Sequence, residues 1–262
     1  MNKHGKRLIT LAALATTTTA IIHIANKVVA ASAGLKEMLD TNGKNYYHWR
    51  FGDIYYTRKG KGSPILLIHD MLPGGSGYEW NKIEDDLALE HTVYSIDLPG
   101  CGRSEKPGMT YTNFVYVQSI CDFIKNVIGE KTDVIVSGYS GSFVIMACRN
   151  EGKLFNKIMM VNPVNPGALK QMPTKKDKLF RKCLEVPVFG TLVYHMVVSS
   201  ALKEIDNSLY IVEGEAENNG EAAVEAYQSI NPSVEAVTLK ETKHFPQAED
   251  PEHFLEQVGI FF

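Results

Sequence analysis

The sequence predicts an α/β fold, a mostly parallel central sheet flanked by helices. Three observations carry this. Short β-branched and apolar runs recur along the chain, as in "SPILLIHD", "DVIVSG" and "NKIMMV". Segments with helical spacing of apolar residues lie between them. Clusters of Gly, Pro, Asn and Asp punctuate the two kinds of segment. Strands that alternate with helical segments imply parallel pairing, because a crossover helix has to carry the chain back before the next strand starts.

In chain order, "NYYHWRFGDIYYTRKGKG" reads as two strands and a hairpin, broken at Phe51-Gly52-Asp53. A buried strand follows at Ile65 to Ile68, then a helix over Glu79 to Leu89 and a strand over His91 to Ile96. "DLPGCGRSEKPG" is a loop by its Gly and Pro content. Phe114, Val117, Ile120, Cys121, Ile124, Val127 and Ile128 have helical spacing, so 111–128 is a helix. Val134 to Ser137 is a strand, Ser142 to Asn150 a helix and Lys157 to Val161 a strand. Ser208 to Val212, Ala222 to Tyr227, Ala236 to Leu239 and Pro251 to Phe262 repeat the alternation. Residues 163–200 interrupt it with Pro-rich turns, a basic stretch and an apolar stretch too short to span a bilayer. Between two strands of such a sheet, this segment predicts a small cap over the carboxyl edge, where α/β sheets bind ligands.

The first forty residues stand apart, which divides the chain into a segment 1–40 and a globular domain 41–262. "MNKHGKR" carries Lys3, Lys6 and Arg7, and no formally charged residue follows until Lys27. A run of that length approaches the roughly 20 residues that cross a bilayer, although Thr16 to Thr19, His23 and Asn26 dilute it. One reading is a hydrophobic helix that stays as a membrane anchor. Another is a signal peptide cut after "ASA" at Ala31 to Ala33, leaving a secreted protein. The run is longer than the about 7–15 residues of a signal-peptide core, which favours the anchor. In both cases the positive-inside bias puts the domain outside the cytoplasm. A cytosolic helix lying on the membrane surface is the third option.

Composition excludes several classes of function. A formal net charge of −3 in 262 residues gives no reason to expect a nucleic-acid partner. Cys101, Cys121, Cys148 and Cys183 form no CxxC pair, which argues against a zinc site or a disulfide scaffold. There is no GxGxxG after a strand, no Walker pattern and no HExxH, so neither a metal nor an organic cofactor is expected.

The chemistry centres on "GYSGS". A strand that turns sharply into a helix needs small residues two before and two after the central position, and Gly138 and Ser142 flank Ser140 in that way. The stretch fits a nucleophile elbow that would expose the Ser140 hydroxyl at the top of the sheet. The amide of Gly141, at the start of the following helix, could then face an oxyanion. A serine needs a base, and His244 lies between the last predicted strand and the last helix, where the order Ser, acid, His places it. The acid should follow the strand Ser208 to Val212. No aspartate is present in "IVEGEAENNGE", and Glu217 is the candidate, ahead of Glu213 and Glu215.

The pieces "ILLIHDMLPGGSGYEW", "YSIDLPGCGRSEKP", "GYSGS" and "KHFPQAEDPEHF" resemble the α/β-hydrolase superfamily in order and spacing, over roughly residues 45–262. The pattern is similar to that of small membrane-tethered bacterial serine hydrolases. The resemblance implies an α/β-hydrolase fold, Ser140 as nucleophile, His244 as base, and an oxyanion hole from the amides of Met71 and Gly141. It also implies a cap between the sixth and seventh strands. The reaction implied is cleavage of an ester or related acyl bond in a small molecule through an acyl-enzyme. Two departures matter. The usual His-Gly pair is His69-Asp70 here, and a carboxylate beside an oxyanion site would oppose the developing charge. The acid is a glutamate. These departures support a second reading, a hydrolase-fold protein without catalysis that binds a ligand or partner. His69 and Asp97 are expected to order neighbouring loops.

Overall fold

The structure is a computed structural model, and it describes residues 45–72, 74–109, 111–166, 198–217 and 220–262. The N-terminal segment 1–40 and most of the expected cap lie outside the described residues. Among those described, no helix is long and apolar enough to cross a membrane.

Eight strands form one sheet in the order β1-β2-β4-β3-β5-β6-β7-β8. β1 (Asn45–Trp49) and β2 (Gly52–Lys59) make the expected hairpin, and β2 joins β4 (His91–Ile96) in antiparallel fashion. From there every pairing is parallel, through β3 (Ser63–Ile68), β5 (Thr132–Ser137), β6 (Phe155–Val161), β7 (Leu209–Gly214) and β8 (Glu235–Leu239).

The strand sequences explain why both faces are covered. Residues two apart point to the same side of a strand. Leu66, Ile68, Val134 and Val136 face a core that includes Phe143 and Phe123, while Ile65, Leu67 and Ile135 face one that includes Trp80 and Phe254. A strand buried on both sides needs a continuous apolar run, and β3 and β5 have one. The helices supply the two layers: α1 (Glu84–Leu87), α2 (Asn113–Phe123), α3 (Ser140–Asn150), α4 (Gly220–Ile230), α5 (Pro246–Glu249) and α6 (Pro251–Phe261).

Two helices differ from expectation. The segment Glu79 to Leu89 is a 3-10 turn at Gly77–Trp80 followed by the short α1, an arrangement that buries Trp80, Ile83 and Leu87 together. The predicted helix 111–128 is regular only over α2. It widens to a π-turn at Ile124–Ile128 and ends at Gly129, whose φ of +80° suits glycine.

β3 has β4 on one side and β5 on the other, so the chain order reverses across β3. Ligands of open α/β sheets bind in the crevice outside the carboxyl ends of strands at such a switch point. The residues that leave β3 and β5 there are His69-Asp70-Met71 and Gly138-Tyr139.

Candidate active site

The turn after β5 is tighter than the motif suggests, and it is centred elsewhere. β5 ends at Ser137, α3 starts at Ser140, and Gly138 takes the left-handed conformation at φ +53°. Only a residue without a side chain adopts that geometry readily. The sequence reading puts Ser140 at the reversal; the structure puts Gly138 there. Ser140 already belongs to the first helical turn. Its side chain is fully buried, and its hydroxyl donates to the His69 carbonyl at 2.7 Å. No hydrogen bond joins Ser140 to His244. The Gly141 amide is likewise turned away, since it closes the helical turn onto the Gly138 carbonyl at 3.3 Å. The amide one residue past the reversal is that of Tyr139.

The carboxyl group of Asp70 takes up the space beside Gly138. Its Oδ1 accepts hydrogen bonds from the Met71 amide at 2.6 Å and the Tyr139 amide at 2.8 Å. Met71 is thus one of a converging amide pair, and Tyr139 is the other. Oδ2 lies 3.0 Å from Nε2 of His244. Asp70 is buried, with 3% of its surface exposed.

His244 sits in the loop between β8 and α5. Its Nδ1 is 3.3 Å from Oε2 of Glu217, so the imidazole lies between two carboxylates. The hydrogen bond to Asp70 raises its pKa to about 8 against the opposing effect of burial, with the Glu217 charge adding to the rise. Protonated, the ring donates from both nitrogens, which suits two acceptors. Glu215 serves a turn instead, where its Oε2 accepts from the Glu241 amide at 3.1 Å. Glu213 is buried at the end of β7, and burial pushes its carboxyl up to about 7.

Three positioning residues escaped the sequence reading. Glu79 accepts the Asp70 amide at 2.9 Å and the Gln247 side-chain amide at 2.9 Å, and it also bonds the Ser137 hydroxyl. Burial pushes its carboxyl up to about 7. Asn162, at a left-handed φ of +43°, donates from Nδ2 to the carbonyls of Lys243 and His244 at 2.8 and 2.9 Å. Its Oδ1 accepts the Gly214 amide at 2.8 Å, so one side chain ties β6 to both the acid loop and the base loop. Gln247 is the third, through Glu79.

His69 and Asp97 order loops. His69 bridges the Asp70 carbonyl at 2.7 Å and the Leu98 amide at 3.0 Å, and burial lowers its pKa, which keeps it neutral. Asp97 accepts the Gly77 and Arg103 amides at 2.7 and 2.6 Å and pairs with the Arg103 guanidinium.

A cavity of about 500 Å³ opens over Asp70 and His244, walled by Met71, Tyr116, Tyr139, Phe143 and Val164. Among the described residues, no group of three or more His, Cys, Asp or Glu side chains is placed to hold a metal ion. The arrangement can do two things. It can hold a negatively charged oxygen between two amides, and it can pass a proton through an imidazole that a carboxylate orients.

Comparison with known proteins agrees with this architecture. Residues 65–182 match the alpha/beta hydrolase family. The chain is 26% identical over 117 residues to a soluble epoxide hydrolase of Corynebacterium sp. (strain C12), which covers 45% of this chain and 40% of that one. It is 28% identical over 111 residues to the 2-hydroxy-6-oxo-6-(2'-aminophenyl)hexa-2,4-dienoic acid hydrolase of Metapseudomonas resinovorans, with 40% and 37% covered. These matches thus span two fifths or less of the relatives' own length. Among solved structures, a meta-cleavage product hydrolase from Pseudomonas fluorescens IP01 superposes with a TM-score of 0.67 at 14% identity, over 85% of this chain and 98% of that one. The chain has the α/β-hydrolase fold, and residues 65–182 match that family.

Proposed function

We propose that the protein is a hydrolase of a small molecule, with its reacting centre at the carboxyl ends of β3 and β5. His244 transfers protons there, Glu217 orients it, and the amides of Met71 and Tyr139 hold the oxygen on which charge develops. One observation carries this reading: the two amides converge on a single oxygen while the imidazole faces the oxygen beside it. Two preorganised donors and a positioned base are what hydrolysis through a tetrahedral intermediate needs. The hydrolase relatives support the same class of reaction. The test is turnover of a panel of small esters, amides and epoxides by the full chain. His244→Ala should abolish whatever activity the panel reveals, and activity indifferent to His244 would reject the site.

Cleavage of an ester through an acyl-enzyme at Ser140 is a second reading, favoured by the place of Ser140 in the first turn of α3. It requires the hydroxyl to leave the His69 carbonyl and approach an imidazole that now meets Asp70. Fluorophosphonate labelling lost in Ser140→Ala would establish it.

Membrane tethering through residues 1–40, with the domain outside the cytoplasm, is likewise a proposal, supported by Lys3, Lys6 and Arg7 ahead of an uncharged run. Extraction of the protein from membranes by alkaline carbonate, or a mature N-terminus near Gly34, would reject the anchor.

A further inference from the structure

We propose that a second cavity, bordered by Ser76 and Glu79, binds a small organic cation: a primary ammonium carried on an aromatic or apolar body. The inference goes beyond the hydrolase reading above and does not depend on it.

This cavity holds about 420 Å³, within the range of small-molecule sites. It opens between the loop that follows β3 and the segment Phe245 to Ala248. Asp70 and Leu72 border both this cavity and the one over His244, so the loop that carries the Met71 amide is the partition between them. His244 borders one cavity and its neighbour Phe245 the other. The two rings meet edge to face at 4.6 Å, which puts a ligand against Phe245 one ring away from the imidazole.

The lining carries one sign of charge. Asp70 and Glu79 are carboxylates, and no Lys, Arg or His is among the described residues that border the cavity. Asp70 is already committed, with Oδ1 on two amides and Oδ2 on His244. Glu79 keeps a vacancy. Its Oε1 accepts from the Ser137 hydroxyl and the Gln247 amide, while its Oε2 accepts from the Asp70 amide alone among the described residues. An ionised carboxylate oxygen has two acceptor positions, so Oε2 has room for one more donor. Burial makes the Glu79 charge costly and lifts its carboxyl to about 7. A cation alongside would offset that cost.

Ser76 is an independent sign of a missing partner. It borders the cavity with only 5% of its surface exposed. It stands in the N-cap position of the 3-10 turn Gly77–Trp80, yet its side chain caps nothing and makes no hydrogen bond to a described residue. A buried hydroxyl left without a partner is destabilising, and a ligand donor supplies the partner. A primary ammonium has three donors and no acceptor, so one group can meet both Glu79 and Ser76. Tyr78 and Phe245 add aromatic rings, which attract a cation and cover its substituent. Tyr78 and Leu72 are large side chains left exposed at this mouth.

The test is an NMR titration of the full chain with benzylammonium chloride, and with benzyl alcohol as the neutral isostere. The expected result is saturable binding of the ammonium, at least about 10-fold tighter than the alcohol at pH 8, with shifts centred on Ser76, Tyr78 and Phe245. Binding should tighten by about 10-fold from pH 6 to pH 8 as Glu79 ionises, because an alkyl ammonium keeps its proton to near pH 10. The charged groups that face Glu79 are Asp70 and His244, and loss of the His244 proton near pH 8 acts in the same direction. Glu79→Gln should weaken the ammonium by about 10-fold and remove most of the pH dependence. Shifts confined to Tyr116 and Phe143, equal affinity for the alcohol, unchanged affinity in Glu79→Gln, or no saturable binding would each overturn the proposal. None of these outcomes bears on the hydrolase reading, which turnover tests.

Discussion

Gly138 has no side chain where Asp70 places its carboxyl group. The glycine turns the chain at φ +53°, and a Cβ there would overlap the Asp70 carboxyl atoms. The two residues lie 68 positions apart and are compatible only as a pair. Gly138→Ala should therefore expel the carboxylate, leave the Met71 and Tyr139 amides without their acceptor and force a left-handed alanine. A loss of about 3 kcal/mol or more is expected in chemical denaturation. Adding Asp70→Gly to Gly138→Ala should recover most of that stability without recovering activity.

Glu217 and Glu215 lie two residues apart and should behave differently. Glu217→Gln removes the charge that orients His244 and is expected to lower kcat by about 10²–10⁴-fold. Glu215→Gln touches a turn amide and should change kcat by less than about 2-fold. Steady-state kinetics of the two variants side by side checks the assignment.

Stability should depend on pH through His244. Its folded pKa, about 8, lies above the ordinary value of 6.5. The contribution is therefore fully present below pH 6.5 and is lost as the pH rises through about 8. The shift bounds the effect at about 2 kcal/mol. A ring one-third exposed should deliver about half of that after solvent screening. Denaturant titrations at pH 6 and pH 9 should show a loss that is larger in the wild type than in His244→Ala by about that amount.

Glu79 should act with the opposite practical consequence. Burial lifts its carboxyl from 4.5 to about 7, so the folded state prefers it protonated, and that preference costs stability as the pH rises from 4.5 through 7. Glu79→Gln removes the cost, which is bounded at about 3 kcal/mol. The Gln247 amide can turn to meet the new side chain, since its Oε1 is buried without a partner. The variant should be more stable than the wild type at pH 8 and equal to it near pH 4.5. Its kcat should fall, because Glu79 holds the Asp70 amide.

Much of this was legible in the sequence. The apolar runs of β3 and β5 announce strands buried on both faces, and the order of segments announces the parallel sheet. The positions of His244 and Glu217 follow from their places after β8 and β7, while Met71 is implied by the family resemblance alone. The centre of the turn was not legible. In "SGYSGS" the spacing of small residues admits a reversal at Gly138 or at Ser140, and backbone conformation at one glycine decides between them. A signal was present in the Asp70 that replaces the usual glycine after His69, because a carboxylate at that point needs empty space across the crevice. Glu79 and Asn162 escaped because their roles are hydrogen bonds made across long sequence distances, with no periodicity to mark them. Most of the cap and the N-terminal segment 1–40 fall outside the described residues.

His244 is held between the carboxylates of Asp70 and Glu217. The most direct measurement is an NMR titration of the His244 ring protons in the full chain, with Asp70→Asn alongside. The expected result is a pKa near 8 in the wild type that drops toward 6.5 when Asp70 loses its charge. A wild-type value at or below 6.5, or one that Asp70→Asn leaves unmoved, would contradict it.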